Sequence, residues 1–249
     1  RPYLSLREMP LSTISTLMNI YVCCSYVSEK KLTFCNEITT HVAKEKIPAD
    51  LVINWDQTPL HYIPASKWTM EAEGTSKVPI AGGSDKRALT AIFTVTLSGN
   101  FLPMQLIYTG KTAQSLPKFS FPDGFSLTQN PSHWSNEDTM ELYVEEILAP
   151  YIKMKREQLE IPDTPALLIY DAFRAHTTEG MQNKLGELNV RLVMVPKNMT
   201  DHLQPLDISA NKHAKNYLKL RYAELYTEQV VRLEEEGERG YEQLGKTSQ

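Results

Sequence analysis

The chain has 249 residues, of which 41% are hydrophobic and 22% are charged. A chain of this length buries a sizeable core without disulfides, and this composition excludes a disordered or low-complexity protein. Its 26 basic and 30 acidic residues give a net charge of −4, and residues 228–249 form an acidic tail that holds most of the excess. The overall charge therefore does not exclude a nucleic-acid-binding protein.

The amino-terminal residues 1–46 predict an irregular arm with a short helix. Cys35, Ile38 and Val42 recur at helical spacing. The uncharged stretch 11–28 is diluted by Ser and Thr, so we expect no membrane span there. All three cysteines fall within the first 35 residues and form no C-x-x-C pair, which favours a reducing compartment over a zinc site or a disulfide framework.

The next part of the chain predicts three strands in a meander. A buried strand over residues 51–56 ends in a carboxylate. Residues 89–97 alternate and predict a strand with one face on the core and the other in a wetter environment. After a turn at Ser98-Gly99-Asn100, residues 101–108 return as the partner strand. The Pro-, Ser-, Asn- and Gly-rich segment that follows predicts a loop.

The second half alternates helices and strands. A helix capped by Ser135 or Asn136 should kink or break at Pro150. The remaining elements are a strand over 166–171, a helix over 178–188, a strand over 190–195, and a long helix from near Asp207 past Tyr226. The fold class is therefore α/β, with one mixed sheet flanked by helices over residues 47–227.

Three aspartates suggest metal chemistry. Asp56 and Asp171 each follow an apolar strand and would emerge at one sheet edge if these strands are parallel neighbours. The chain between Asp171 and Asp207 is long enough to bring the third carboxylate to the same edge. One cation would bridge Asp56 and Asp171, and a second would be held by Asp56 and Asp207. Such a pair of ions lies about 3.5–4 Å apart and serves in-line displacement at phosphorus.

Each aspartate also has a purely structural explanation, either a turn after a strand or, for Asp207, a helix N-cap. Only the three together, in this order, favour a site. A haloacid-dehalogenase-like phosphatase would need a second Asp two residues after Asp56, where this chain has Thr58. The sequence contains no phosphate-binding G-x-x-x-x-G-K-[ST] loop, which argues against an ATPase.

Several motifs together resemble a known family. They occur at residues 54–58, 85–87, 97–99 and 106–111, at 168–171 with His176, and at Leu203-Gln204-Pro205-Leu206-Asp207 with Lys212 and Lys215. Over residues 47–227 the chain resembles the DDE superfamily endonuclease domain of the pogo, tigger and jerky transposases and of centromere protein B.

The resemblance implies an RNase H-like fold with Asp56 on the first strand, Asp171 on the fourth, and Asp207 on the following helix. It implies that this triad is catalytic and binds two Mg²⁺ or Mn²⁺ ions for DNA strand cleavage and transfer, which places the protein in the nucleus. Two departures stand out: Ala172 replaces a frequent Asn, and residues 1–46 are too short to supply the helix-turn-helix modules of relatives.

Basic residues near these motifs are candidates for DNA binding. Lys212, Lys215 and Lys219 share one helix face and predict either a phosphate-contacting stripe or an ordinary solvated face. Lys86 and Arg87 open the second strand and are also candidates. His176 is an auxiliary candidate that would position water or phosphate, or else form a hydrogen bond at a helix start.

Two functions remain open at this point. The leading hypothesis is a DDE-type transposase or endonuclease that acts on DNA, with a homodimer as a candidate assembly and no membrane partner. The alternative is a domesticated, catalytically silent protein that is derived from a transposase and binds DNA or chromatin.

Overall fold

The computed structural model describes residues 29–64, 87–171 and 178–235. The chain divides into two compact units, one of Arg1–Pro59 with Leu89–Lys212, and the other of Leu60–Ala88 with His213–Gln249. The predictions for residues 1–28, Lys86 and His176 lie outside the described residues. Within the described part, no helix combines the length and apolar character needed to cross a membrane.

A six-stranded mixed sheet forms the centre of the fold, in the order β4-β3-β2-β1-β5-β6. The pairs β1–β5, β5–β6 and β3–β4 are parallel, whereas β2 and β3 are antiparallel. The strands are β1 Val52–His61, β2 Ala88–Thr96, β3 Met104–Thr109, β4 Phe125–Asn130, β5 Ala166–Tyr170 and β6 Val190–Met194. The predicted mixed sheet is therefore present, with β1 and β5 as parallel neighbours.

Seven α-helices are described around this sheet: α1 Glu29–Glu45, α2 Glu137–Tyr143, α3 Ala149–Gln158, α4 Glu179–Glu187, α5 Thr200–Leu203, α6 Pro205–Ile208 and α7 Ala210–Glu235. Helix α1 contributes the buried Phe34 and Ile38 to the hydrophobic core. The packing of the first unit therefore begins before the boundary at residue 47 that the sequence predicted.

Strand β2 is buried along its whole length, so the prediction of a wetter face was wrong. Its outward threonines are covered and have hydrogen-bond partners. The Tyr143 hydroxyl of α2 donates to Thr94 Oγ1, and Thr90 Oγ1 pairs with His133 Nδ1 at 3.3 Å. A threonine side chain can be buried when its hydroxyl is hydrogen-bonded. The alternation of apolar residues and threonines therefore did not correspond to a solvent-exposed face.

Strand β4 was missed, because its segment was predicted to be a loop. It pairs with β3 along six residues, from Met104↔Phe125 to Thr109↔Asn130. Only Thr128 in the strand is buried. An edge strand with one neighbour carries little hydrophobic periodicity, so the pairing depends on backbone hydrogen bonds that composition does not show.

The helix break predicted at Pro150 occurs one turn earlier. Residues Val144–Leu148 form a π-helical turn between α2 and α3, and Pro150 lies in the first turn of α3. Proline lacks the N–H for an i→i−4 bond and its ring crowds the preceding turn. The wider π turn accommodates both the missing N–H and the proline ring, so the chain continues as a helix.

The last long helix begins at Ala210, so the prediction that it starts at Asp207 was wrong. Asp207 lies instead in the short helix α6. Helix α7 also continues to Glu235, past the boundary at residue 228 that the sequence predicted for the acidic tail.

Arg156 should stabilise the fold more than a surface arginine does. Its guanidinium donates to the carbonyls of Thr164, Leu188 and Asn189 at 2.8, 3.0 and 3.2 Å, which ties α3 to the turn between α4 and β6. Arg156→Met should lower the free energy of unfolding by about 1.5–3 kcal/mol in urea denaturation. Arg191→Met, which removes only an exposed pair with Glu45, should cost about 0–1 kcal/mol. Equal losses would contradict this role.

Candidate metal and catalytic site

Asp56 lies within β1, and Asp171 follows the end of the parallel neighbour β5. The register pairs Asn54 with Ile169, and continuing it by two residues brings Asp56 opposite Asp171. Asp171 directly follows β5 and is partly exposed, whereas Asp56 is only 3% exposed. The sequence predicted that the first strand ends at Asp56. Strand β1 instead continues five residues beyond Asp56, so this carboxylate lies within the strand.

The Leu203–Asp207 motif brings the third carboxylate to the sheet. Pro205 disfavours the helical conformation of the residue before it, and Gln204 is extended with φ −84° and ψ 107°. Helix α5 therefore ends, and the Gln204 side chain is fully buried. Leu203 and Leu206 on either side are also buried and anchor the segment. Asp207 follows in α6, partly exposed.

The Gln204 amide connects this segment to the sheet. Its Nε2 donates to the Trp55 carbonyl at 3.0 Å, and its Oε1 accepts from Asn54 Nδ2 at 2.7 Å. Asn54 Nδ2 also donates to the Ile169 carbonyl on β5 at 3.0 Å. Two amide side chains thus join β1, β5 and the segment that carries Asp207.

Asn211, near the start of α7, links two of the carboxylates directly. Its Nδ2 donates to Asp56 Oδ2 at 2.5 Å and to Asp207 Oδ1 at 2.9 Å. These two oxygens therefore lie close to a single nitrogen. Asn211 is 2% exposed, and its own Oδ1 accepts no hydrogen bond from any described residue.

Burial and like charge dominate the electrostatics of the site. Desolvation, followed by the negative charges of Asp207 and Asp171, raises the pKa of Asp56 to about 8. Hydrogen bonds from the Gln204 side chain and the Gln57 backbone act in the opposite direction and are outweighed. The ionised form of Asp56 is therefore unfavourable unless positive charge is added nearby.

The carboxylates are neighbours, but they do not surround one point. Among the described residues, no group of three or more His, Cys, Asp or Glu side chains is arranged to hold a single metal ion. The geometry instead offers Asp56 with Asp207, which share the Asn211 amide, and Asp56 with Asp171, which are adjacent by strand register. Both combinations include Asp56.

The basic candidates have mixed outcomes. Lys212 follows Asn211 directly on α7 and is exposed, and Lys215 and Lys219 lie further along the same helix. Arg87 is exposed, and its carbonyl accepts a hydrogen bond from the Tyr62 N–H at 3.2 Å. The DNA-binding role of these basic residues therefore stays a prediction.

The sequence reasoning missed the three amides of the site, Asn54, Gln204 and Asn211. Two of them lay inside motifs that were recognised for their aspartates. For Asn54 and Gln204 the signal was their position, because an Asn or Gln beside apolar residues must find partners once it is buried. Asn211 lies among Ser, Lys and His residues and carries no such signal.

The pKa of Asp56 predicts how stability depends on pH. In an unfolded chain Asp ionises near pH 3.9. Between that value and about 8 the folded state binds more protons, so this residue's contribution to stability falls as pH rises. Asp56→Asn should therefore gain stability relative to the native chain between about pH 5 and pH 9, by at least about 1 kcal/mol. Urea denaturation in EDTA measures this difference.

The control for this experiment is Asp163→Asn, which changes an exposed carboxylate before β5. Its stability relative to the native chain should vary little over the same pH range. If the stability of Asp56→Asn relative to the native chain also varied little with pH, the raised pKa of Asp56 would be contradicted.

A family model described as "DDE superfamily endonuclease" matches residues 86–245, more than half of the chain. The match includes Asp171 and Asp207, whereas Asp56 precedes it, so the placement of Asp56 depends on the strand register. Among solved structures, that of a pre-cleavage Mos1 transpososome aligns with a TM-score of 0.52 at 12% identity, over 88% of this chain and 53% of that chain. This similarity shows a shared fold.

Curated relatives agree with the family model. The "Pogo transposable element with KRAB domain" of Homo sapiens is 27% identical over 171 residues, which are 68% of this chain and 27% of that protein. The human "Pogo transposable element with ZNF domain" is 19% identical over 80% of this chain and 13% of that protein. The chain thus spans about a quarter or less of these relatives. The predicted resemblance and RNase H-like fold are confirmed, and the chain belongs to the DDE superfamily endonuclease family.

Proposed function

We propose that this chain is the catalytic domain of a transposase that cleaves and transfers DNA strands with divalent metal ions. The observation that carries the proposal is the buried Asp56, which is bridged to Asp207 through Asn211 and lies beside Asp171. Family membership supports the reaction class, and the arrangement of these four residues supports the site.

The residues fit divalent cations on electrostatic grounds. A carboxylate that is desolvated among two like charges is stabilised most simply by a cation, and carboxylate oxygens are the ligands that Mg²⁺ and Mn²⁺ prefer. Asp56, Asp171 and Asp207 would hold the ions, with Asp56 common to both pairs. An arrangement in which two carboxylates share each ion needs no group of three around one point.

When bound, such ions supply an activated water and charge stabilisation at a phosphodiester. The residues of the chain provide the geometry. Asp56 is fixed within a central strand, Gln204 holds the segment of Asp207 against that strand, and Asp171 is exposed enough to meet a substrate. Sites on rigid strands hold their geometry more closely than sites on loops.

DNA is the substrate in this proposal, and the nucleus is the proposed location. The solved structure with the same fold is that of a transpososome, and the relatives are named pogo transposable elements. Lys212 is exposed and directly follows Asn211 in α7, and in this proposal it contacts a phosphate of the bound strand. We extend this role to Lys215, Lys219, Lys86 and Arg87, and an auxiliary role to His176.

Replacing Asp171 tests the enzyme assignment. Asp171→Asn should reduce Mn²⁺-dependent nicking of supercoiled plasmid to background, because the neutral amide removes a charge needed to hold the ions. Asp163→Asn is the same substitution at an exposed position shortly before the start of β5, and this variant should retain activity. Nicking is measured by agarose gel electrophoresis of the relaxed product.

The result for the native protein distinguishes the two candidate functions. A full-length protein that binds DNA but neither nicks it nor binds Mn²⁺ would contradict the proposal and favour the silent, domesticated alternative. Nicking that survives Asp171→Asn would contradict the assignment of this carboxylate.

Lys212 should contribute to DNA affinity through a phosphate contact. Lys212→Gln should weaken binding of duplex DNA and reduce the slope of log affinity against log salt by about 1. Lys153→Gln, which neutralises an exposed lysine on α3, is the matched control and should leave that slope unchanged. Fluorescence anisotropy at several salt concentrations measures both, and equal effects of the two variants would contradict the contact.

A further inference from the structure

Asn211 lies between two carboxylates of the proposed site. Its Nδ2 lies between a carboxylate from strand β1 and a carboxylate from helix α6, and it donates to both. The other end of the same amide, Oδ1, is buried without any donor among the described residues. One end of this side chain is thus doubly satisfied, and the other end is unsatisfied.

A buried carbonyl oxygen without a donor can be satisfied by a partner that binds in another state. Within the described part of the chain, Asn54 Oδ1 and Gln105 Oε1 also lack a donor, and Asn211 differs from them in that its amide lies between two carboxylates. The NH₂ end of an amide is its positive end and suits the space between two carboxylates in the absence of a cation. A cation held by Asp56 and Asp207 reverses this preference, because it repels the NH₂ end and attracts the carbonyl oxygen. Amide carbonyl oxygens of Asn are ordinary ligands of hard divalent cations.

We propose that Asn211 is a reversible metal ligand of this site. In the metal-free chain its Nδ2 bridges Asp56 and Asp207 and offsets their repulsion. When a divalent cation binds, the side-chain amide rotates and Oδ1 becomes a ligand. The inference rests on the proposed function, because it assumes a cation at Asp56 and Asp207, and it adds a fourth residue and an exchange of partners.

Metal affinity separates this role from simple packing. Isothermal titration calorimetry with Mn²⁺ on the purified protein should give about tenfold or greater weakening for Asn211→Leu, which keeps the volume and removes the ligand. Asn216→Leu, the same substitution at an exposed position on α7, should bind Mn²⁺ like the native chain. If Asn211 acted only as a hydrogen-bond donor, Asn211→Leu would bind Mn²⁺ equally well or more tightly.

Asn211→Asp supplies a second readout that does not require the leucine variant to fold. It retains an oxygen ligand but cannot donate, so it adds a fourth negative charge to the site. Its Tm in EDTA should fall below that of the native chain, and the increase in Tm on adding Mn²⁺ should exceed the native increase. An increase equal to or smaller than the native one would overturn the proposal.

NMR spectroscopy detects the exchange of partners directly. The two side-chain NH₂ resonances of Asn211 are assigned as the pair that is missing from the spectrum of Asn211→Asp. This pair should move upfield when Mg²⁺ is added, because its hydrogen bonds to two carboxylates are lost. An unchanged pair at saturating Mg²⁺ would overturn the rotation.

The outcomes for the two proposals differ. A native chain that shows no Mn²⁺ binding overturns the proposed function, and the inference about Asn211 with it. A native chain that binds Mn²⁺, together with an Asn211→Leu variant of unchanged affinity, overturns only the role of Asn211.

Discussion

The site depends on one constraint, which is the burial of the Gln204 amide against strand β1. Its two hydrogen bonds to Trp55 and Asn54 fix where the segment of Asp207 meets the sheet. Because Pro205 prevents Gln204 from continuing the preceding helix, this contact forms only if the chain is extended at that point. The short helices α5 and α6 follow from the same interruption. This contact, the buried Leu206 and the Asn211 amide that donates to both carboxylates together hold Asp207 beside Asp56.

The site also contains an ionisable carboxyl group, that of Asp56, in a buried position that disfavours its charged form. Asp56 is buried in a central strand, and its pKa is raised because water is excluded and two carboxylates are close. A fold selected for stability alone would replace this residue with an apolar one of similar volume. Strain of this kind is characteristic of functional sites, where a bound partner supplies the missing charge. The amides of Gln204 and Asn211 limit the cost while that partner is absent.

The family assignment and the geometry support each other at different residues. The family model covers Asp171 and Asp207 but begins after Asp56. The strand register places Asp56 beside Asp171, since Asn54 pairs with Ile169 two residues before these aspartates. The fold shared with the Mos1 transpososome is consistent with both. The longer pogo relatives contain further sequence beyond the part matched here.

The sequence alone singled out the three aspartates as candidates and predicted the α/β class and most of the helices and strands, because these follow from local periodicity, caps and motifs. It did not reveal β4, the burial of both faces of β2, or the true start of α7. Each of these depends on which segments pack together. The amides of the site were equally beyond it, since Asn211 and Asp56 are 155 positions apart and Gln204 and Trp55 are 149 apart. Only the tertiary fold brings such groups within hydrogen-bond distance, and only there does burial give a carboxylate its altered pKa.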